Sequence, residues 1–320
     1  MAESYSVPRP DVPMPQTRES KARTALTRVG FDFKGHGFRG LLSASVGLSL
    51  FALFFLLYGV TSDGIPVLAE RGWDFLSSPL SADPSRTGVW QGLKGTIQLV
   101  VFILVFAVPV GMASAVYLEE YAEDTWFTRF VSLNIRNLAG VPSVVYGILG
   151  LSVFVKFLGD FTGGRSVISA GFTLSILVLP LVIIAAMEAL RAVPQSHREG
   201  AFGLGATRWE VIRHQVIPYA MPGIATGIVL SVLRALGETA PLILVGAVSG
   251  FFTTGDQNVV EDLQGPFTAL PMLIFSWARQ PKAEFEELTS AVIVVTLFVL
   301  LLSTLAAVLV RNRFEKRRQG

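Results

Sequence analysis

The sequence contains no cysteine and only three histidines, and just 16% of its 320 residues are charged. The absence of cysteine excludes disulfide bonds, thiolate metal sites and cysteine nucleophiles, and three histidines give little basis for a histidine metal site. Soluble domains are typically about a quarter charged, whereas 51% of this chain is hydrophobic and its mean hydropathy is +0.55. The composition therefore indicates a protein of the lipid bilayer.

Long apolar runs dominate what is present. A membrane-spanning helix needs about 20 mostly apolar residues at about 1.5 Å each. Five apolar runs of the sequence meet this length. A sixth run is less uniform, because its front is polar and contains a proline, but we count it as a span. The fold class predicted is an all-α polytopic protein with six spans, of which the third and fifth carry polar groups that lipid cannot satisfy. The six segments are 41–60, 97–118, 131–157, 166–190, 219–247 and 288–310.

The distribution of basic residues predicts the side on which each connection lies. Eighteen lysines and arginines lie before residue 41, in the 119–136 and 191–217 connections and after residue 310, against seven on the opposite side. Because such an excess marks the cytoplasmic side, both termini are predicted to be cytoplasmic. Residues 1–40 hold four prolines and few aliphatic side chains, which predicts a disordered basic tail, and 313–320 form a second basic tail.

The outer connection 248–286 contains one further apolar stretch, at 269–278. It is too short to span a bilayer, so we predict an interfacial or re-entrant segment. Phe275 and Trp277 are expected to mark the outer interface, where amphipathic aromatic side chains concentrate.

Residues 159–166 (GDFTGGRS) approximate the phosphate loop G-x-x-x-x-G-K-[ST], with Arg165 in the lysine place. The motif requires a preceding strand and a nucleotide-binding domain, and this stretch lies in a short connection between two predicted spans. We therefore predict that this chain is not an enzyme and carries neither cofactor nor metal.

The 191–217 connection has the clearest local signals. Thr207 followed by Glu210 is a capping-box pattern that predicts a helix start, and that helix is expected to stop before Pro218. Gly203 and Gly205 end a shorter helix upstream. The pattern predicts two helices joined by a glycine elbow, which either only link two spans or form a docking surface.

Residues 199–201 (EGA), Gly205 and residues 217–218 (IP) resemble the EAA…G…LP signature of ABC-importer permeases. The sequence departs from this signature in carrying glycine for the first alanine and isoleucine for leucine. In that family the loop forms coupling helices that dock on a cytoplasmic ATPase. The docking residues that the resemblance implies are Glu199, Gly200, Ala201, Gly205, Thr207, Arg208 and Glu210.

A wider resemblance, over roughly 60–312, is to permeases of the phosphate-specific transport (Pst) system, and the "GETAPL" and "LPMLIFSWA" segments look like the A-type subunit. It implies a heterodimer with a C-type permease, an ATPase dimer that holds ATP and Mg, and an external phosphate-binding protein. It further implies a bacterial inner (plasma) membrane, with membrane lipid as a partner and no nucleic acid. A permease for molybdate, sulfate or phosphonate, or an ion-coupled secondary carrier, stays open as an alternative.

Arg234 and Glu238 lie one turn apart inside the fifth predicted span. Charged groups at such depth are costly and usually face protein or a water-filled path. The pair predicts either an internal ion pair that fixes packing or a contact with a passing phosphate, to which a guanidinium is well matched. The residues proposed to line the path are Arg234, Glu238, Thr239, Asn137 and Ser143.

Overall fold

The computed structural model describes residues 33–248 and 258–319 and divides the chain into two units, 1–58 and 59–320. Residues 33–58 of the first unit are the front of helix α1 (Phe33–Ser77), whose side chains are exposed over 37–58. Of the predicted tail, residues 1–32 lie outside the described residues, and the remaining eight are helical. The predicted C-terminal tail continues the last helix as far as Gln319.

Only helices are found within the described residues, and three of them carry short π-helical turns. The π-helical turns are Tyr117–Tyr121, Leu151–Phe157 and Ile212–Val216. The further helices are α2 (Trp90–Val116), α3 (Trp126–Ala139), α4 (Ser143–Gly150), α5 (Gly159–Thr162), α6 (Val167–Arg191), α7 (Gln195–Gly203), α8 (Arg208–Val211), α9 (Ile217–Gly237), α10 (Ala240–Val245), α11 (Val259–Gln264), α12 (Leu270–Trp277) and α13 (Glu284–Gln319).

Within the part of the chain that the structure describes, five helical segments are long and apolar enough to cross a membrane. A sixth candidate consists of two helices, Trp126–Ala139 and Ser143–Phe157, which are bent by 99° to one another, so the structure offers five spans, or six if this pair is one. The five are Gly37–Ser77, Trp90–Tyr121, Val167–Arg191, Arg208–Gly237 and Glu284–Leu305.

Two predicted spans are therefore not single helices. The third breaks at Gly140–Pro142, because a residue before proline is disfavoured in the helical region and Pro142 has no N–H to give. The fifth breaks at Glu238–Thr239. The irregularity expected of both is confirmed, and their bounds as spans stay predictions.

The helix that starts after Thr207 was expected to stop before Pro218, and this expectation is wrong. The helix runs on into α9. The π-helical turn Ile212–Val216 comes directly before, and Pro218 takes the second position of α9. Pro218 therefore lies inside a continuous helical segment, Arg208–Gly237, and the missing proline N–H falls directly after the π-helical turn, where the helical hydrogen-bond pattern changes. The last part of the coupling loop, from Arg208, and the fifth span as far as Gly237 are thus one continuous helix.

Helix α6 lies at the centre of the second unit, and fifteen of its residues are buried. It packs against α2, α9, α4 and α3. A side chain at Gly171 would overlap the ring of Phe102 on α2, and one at Gly227 on α9 would overlap Ala185. Small residues at these crossings let the helix backbones approach closely, as is common in membrane helix packing.

Helix α12 occupies most of the apolar stretch predicted to be interfacial or re-entrant. Its Leu270 and Leu273 are fully buried against α2 and α13, and Trp277 is 4% exposed with its ring 5.8 Å from that of Phe285. The expectation that Trp277 marks the outer interface is wrong: the apolar stretch is shielded by protein.

Candidate functional site

The break between α9 and α10 lies at the predicted charged pair. Helix α9 ends at Gly237, Glu238 is extended (φ −86°, ψ 109°), and a new helix starts at Ala240. Pro241 has no N–H to donate to the carbonyl of Gly237, four residues earlier, so a continuous helix would lack that hydrogen bond. The helix therefore breaks at the charged pair of the fifth predicted span.

Arg234 and Glu238 form a loose ion pair across this break. The Arg234 Nε atom lies 3.8 Å from Glu238 Oε1, which is beyond hydrogen-bond distance. The Arg234 side chain is 51% exposed and that of Glu238 is 21% exposed. Within the described residues the guanidinium has no closer anionic partner, and about half of the side-chain surface of Arg234 is exposed.

The two broken helices contact each other just beyond their breaks. A Cβ atom at Gly147 on α4 would lie 2.6 Å from Leu244 Cδ1 and 2.8 Å from the Cα of Pro241, both on α10. On α4, the buried Tyr146 donates a hydrogen bond of 2.8 Å to the carbonyl of Leu138 on α3, which bridges the bend. The two half-helices α4 and α10 thus form one packed unit.

The predicted path residues lie on or next to the packed half-helices α4 and α10. Thr239 is half-buried at the start of α10, and Ser143 is half-buried at the start of α4, one turn before Gly147. Asn137 is exposed near the end of α3, before the bend. Among the described polar contacts, only the pair of Arg234 and Glu238 joins two members of the set, so a shared path stays a prediction.

The 191–217 connection forms the predicted pair of helices with an elbow. The Thr207 hydroxyl accepts from the Glu210 amide at 3.4 Å, and Glu210 Oε2 accepts from the Thr207 amide at 2.8 Å, which confirms the capping box. Gly205 has φ +83°, a conformation that favours glycine. Most of the predicted docking residues are exposed, with Ala201 half-buried, and three large apolar side chains share this surface: Phe202, Leu204 and Trp209.

A largely buried ion pair ties α7 to the π-helical turn after α2. Arg198 Nη2 lies 2.8 Å from Glu120 Oε1, and their side chains are 15% and 10% exposed. The same guanidinium donates to the carbonyls of Val193 and Leu190, at 2.8 and 3.0 Å. One arginine therefore joins the end of α6, the loop and the π-helical turn after α2.

Residues 107–319 match the family model described as "binding-protein-dependent transport system inner membrane component". The chain belongs to this family. It is 32% identical over 273 residues to the phosphate transport system permease protein PstA of Yersinia pestis, covering 84% of this chain and 87% of that protein. It is also 32% identical over 275 residues to PstA 1 of Mycobacterium tuberculosis (strain ATCC 25618 / H37Rv), covering 85% of each.

Solved structures show the same fold. A bacterial ABC transporter involved in the import of the acidic polysaccharide alginate matches with a TM-score of 0.61 at 16% identity, over 88% of this chain and 96% of that one. The inward-facing MetNI methionine ABC transporter matches with a TM-score of 0.52, also at 16% identity, over 73% and 99%. With the family match and the 32% identity to phosphate transport permeases, the protein is a multi-pass ABC-transporter permease.

Sequence reasoning missed the ion pairs that hold the permease's loop. Besides Glu120 and Arg198, Arg191 at the end of α6 pairs with Glu119 at 2.7 Å and with Glu188 at 3.5 Å. The available signal was the two adjacent carboxylates directly after the second apolar run, facing two arginines at the start of the loop. More than 70 residues separate the partners, so spacing alone does not pair them.

Proposed function

We propose that this chain is the A-type transmembrane subunit of an ATP-driven phosphate importer, in which it forms half of the translocation path. The single observation that carries the proposal is the half-exposed guanidinium of Arg234 at the opened helix between α9 and α10. The 32% identity to phosphate transport permeases over most of the chain supports phosphate as the cargo.

The charged break suits a transient anion contact. An arginine presents paired N–H groups to phosphate oxygens, which makes it the favoured residue for phosphate recognition. Held alone, such a cation would retain the anion, whereas a path must release its cargo. Glu238, already 3.8 Å away, can take the guanidinium back when phosphate leaves. Arg234 is thus proposed to contact phosphate and Glu238 to hold Arg234 while the path is empty, with Thr239 and Ser143 as further lining. Asn137, which is exposed on α3 before the bend, is left out of this proposed lining.

The exposed loop suits the docking of a separate ATPase. Phe202, Leu204 and Trp209 present apolar side chains beside the predicted docking residues, and aromatic anchors are typical of interface cores. Because α8 continues into α9, a push on the loop moves the continuous helix that ends at the charged break. In this proposal ATP and Mg are bound by two ATPase subunits, and closure of that dimer switches the path between its two sides.

The remaining partners follow from the proposed importer. They are a C-type permease that supplies the other half of the path, an external phosphate-binding protein and the lipid of a bacterial inner membrane. Both termini would lie on the cytoplasmic side if α3 and α4 together make one crossing.

Uptake of labelled phosphate into vesicles that contain the purified complex tests the proposal. We expect uptake that requires ATP and the ATPase, and that excess unlabelled phosphate inhibits whereas sulfate, molybdate and phosphonate do not. Preferential inhibition by one of those anions would assign the permease to that anion instead. Uptake that persists without the ATPase but collapses with the ion gradient would make it a secondary carrier.

A further inference from the structure

Helix α3 has no buried residue along its 14 positions, although the chain around it is tightly packed. Its exposed side chains include five large apolar ones, and the most exposed is Trp126 at 76%. These side chains are Trp126, Phe127, Phe130, Leu133 and Leu138. A helix with so much uncovered apolar surface requires a further apolar partner.

The charged and apolar side chains of α3 are segregated around the helix. At 100° per residue, the five apolar side chains lie within one arc of about 140°, and Arg129 and Arg136 lie beyond its edge. Two asparagines fall within the arc; one of them, Asn134, donates a hydrogen bond of 2.8 Å to the carbonyl of Phe130. The opposite side rests on the protein, where Ile135 packs on a cluster that includes Ala115 and Met187. The rings of Trp126 and Phe130 lie 6.2 Å apart and form an aromatic group at the start of the exposed arc. This is the pattern of a helix that lies on a membrane surface.

The direction of α3 fits the same description. The next helical segment, Ser143–Phe157, is mostly apolar, lies at 99° to α3 and reaches the length of a membrane span only together with it. If Ser143–Phe157 crosses the bilayer, α3 must run close to the membrane plane. The 15 residues of Ser143–Phe157 cover about 22 Å, and the exposed Phe161, just after the exposed Phe157 at the far end, extends the apolar surface. A modest mismatch of this size is met by local thinning of the bilayer.

The depth of α3 is set by neighbours at the ends of two spans. Tyr117 and Tyr121, both exposed at the end of the second span, come only a few residues before Trp126. At the other end of α3, Arg136 Nη2 lies 3.7 Å from Glu188 Oε1, in the last turn of α6. Interfacial aromatic side chains and charges at span ends are the usual markers of the headgroup region.

From this geometry we propose that α3 lies in the plane of the membrane on the side that carries the 191–217 loop. Its exposed apolar arc inserts among the lipids at the headgroup boundary, and only Ser143–Phe157 crosses the bilayer. The bent pair then counts as one crossing plus one surface helix. Through Arg136 and Glu188, this lipid-bound helix contacts the end of α6 from which the loop departs. The proposal does not depend on which ion the permease transports.

Depth measurement with spin labels tests the proposal, and the absence of native cysteine makes single-site labelling direct. The full-length permease, purified with its partner subunits and placed in phosphatidylethanolamine and phosphatidylglycerol vesicles, is labelled at Phe127→Cys, Phe130→Cys or Leu133→Cys. Glu123→Cys, exposed just before α3, is the aqueous control, and Leu149→Cys on α4 is the deep control. Co-purification of the partner subunits verifies that each variant assembles.

We expect the three α3 labels to share one shallow depth, about 5–10 Å below the headgroups. They should collide more with oxygen than with a water-soluble nickel chelate, whereas the label at 123 does the reverse and the label at 149 lies deeper. Depth that increases steadily along α3 would overturn the proposal by making it part of the crossing. If the α3 labels collide with the nickel chelate as often as the label at 123 does, α3 does not contact lipid and the proposal is wrong. Labels shielded from both reagents would assign the surface to the partner permease.

Discussion

The ion pair of Glu120 and Arg198 gives the sharpest test of how the loop is held to the spans. In Arg198→Gln, the Glu120 carboxylate stays 10% exposed but loses its cation, and two carbonyls at the end of α6 lose a charged donor. Removing one partner of a buried ion pair typically costs about 3–5 kcal/mol. Because α7 is itself a surface element, we take the lower end, about 3 kcal/mol.

The amide exchange rate is proportional to the equilibrium constant for local opening, so a loss of about 3 kcal/mol in the free energy of that opening raises the exchange rate about a hundred-fold. Hydrogen–deuterium exchange of the complex in lipid should show this increase over 195–203 in Arg198→Gln. Arg129→Gln is the matched control, because its ion pair with Asp124 is fully exposed and lies outside the loop; we expect its α7 exchange to be unchanged. Equal exchange in the two variants would refute the claim that Arg198 anchors the loop.

Two further predictions concern the loop and the start of α3. Gly200→Ala should stabilise α7 by about 1 kcal/mol, since a Cβ there meets no atom within 4 Å. Gly205→Ala should destabilise the elbow by about 1–2 kcal/mol, because Gly205 has a φ of +83°. Thermal melting of the complex measures both changes, and equal effects of the two substitutions would contradict the prediction. Hydrogen bonds from the Arg129 guanidinium lower the pKa of Asp124. This ion pair should therefore hold the start of α3 above pH about 4 and release it as the pH falls through the lowered pKa. A spin label at position 127 should gain mobility on acidification, and an equal gain in Asp124→Asn would contradict this prediction.

Local and compositional features of the fold could be predicted from the sequence. Uninterrupted apolar runs predicted long apolar helices, and the structure forms them, because burial in lipid imposes length and composition directly. The capping box at Thr207 and the glycine elbow at Gly205 were predictable because each depends only on residues within one helical turn.

Features set by distant residues could not be predicted. The polar front of the third apolar run revealed irregularity, but the 99° bend depends on how α3 rests on the ends of α2 and α6. Trp277 reads as an interfacial aromatic until Phe285 and its neighbours are seen to cover it. At the candidate site, the charges of Arg234 and Glu238 were evident, whereas the packing of Gly147 on α10 joins residues almost 100 positions apart.

Phosphate uptake by permeases altered at Arg234 is the most direct test of the central claim, that this guanidinium contacts phosphate in the path. Arg234→Gln should abolish most uptake, and Arg234→Lys should retain only part, because a lysine lacks the paired N–H geometry. Arg129→Gln, a charge loss of the same kind at an exposed ion pair, should transport at the parental rate. With assembly and expression equal, parental uptake in both Arg234 variants would contradict the account.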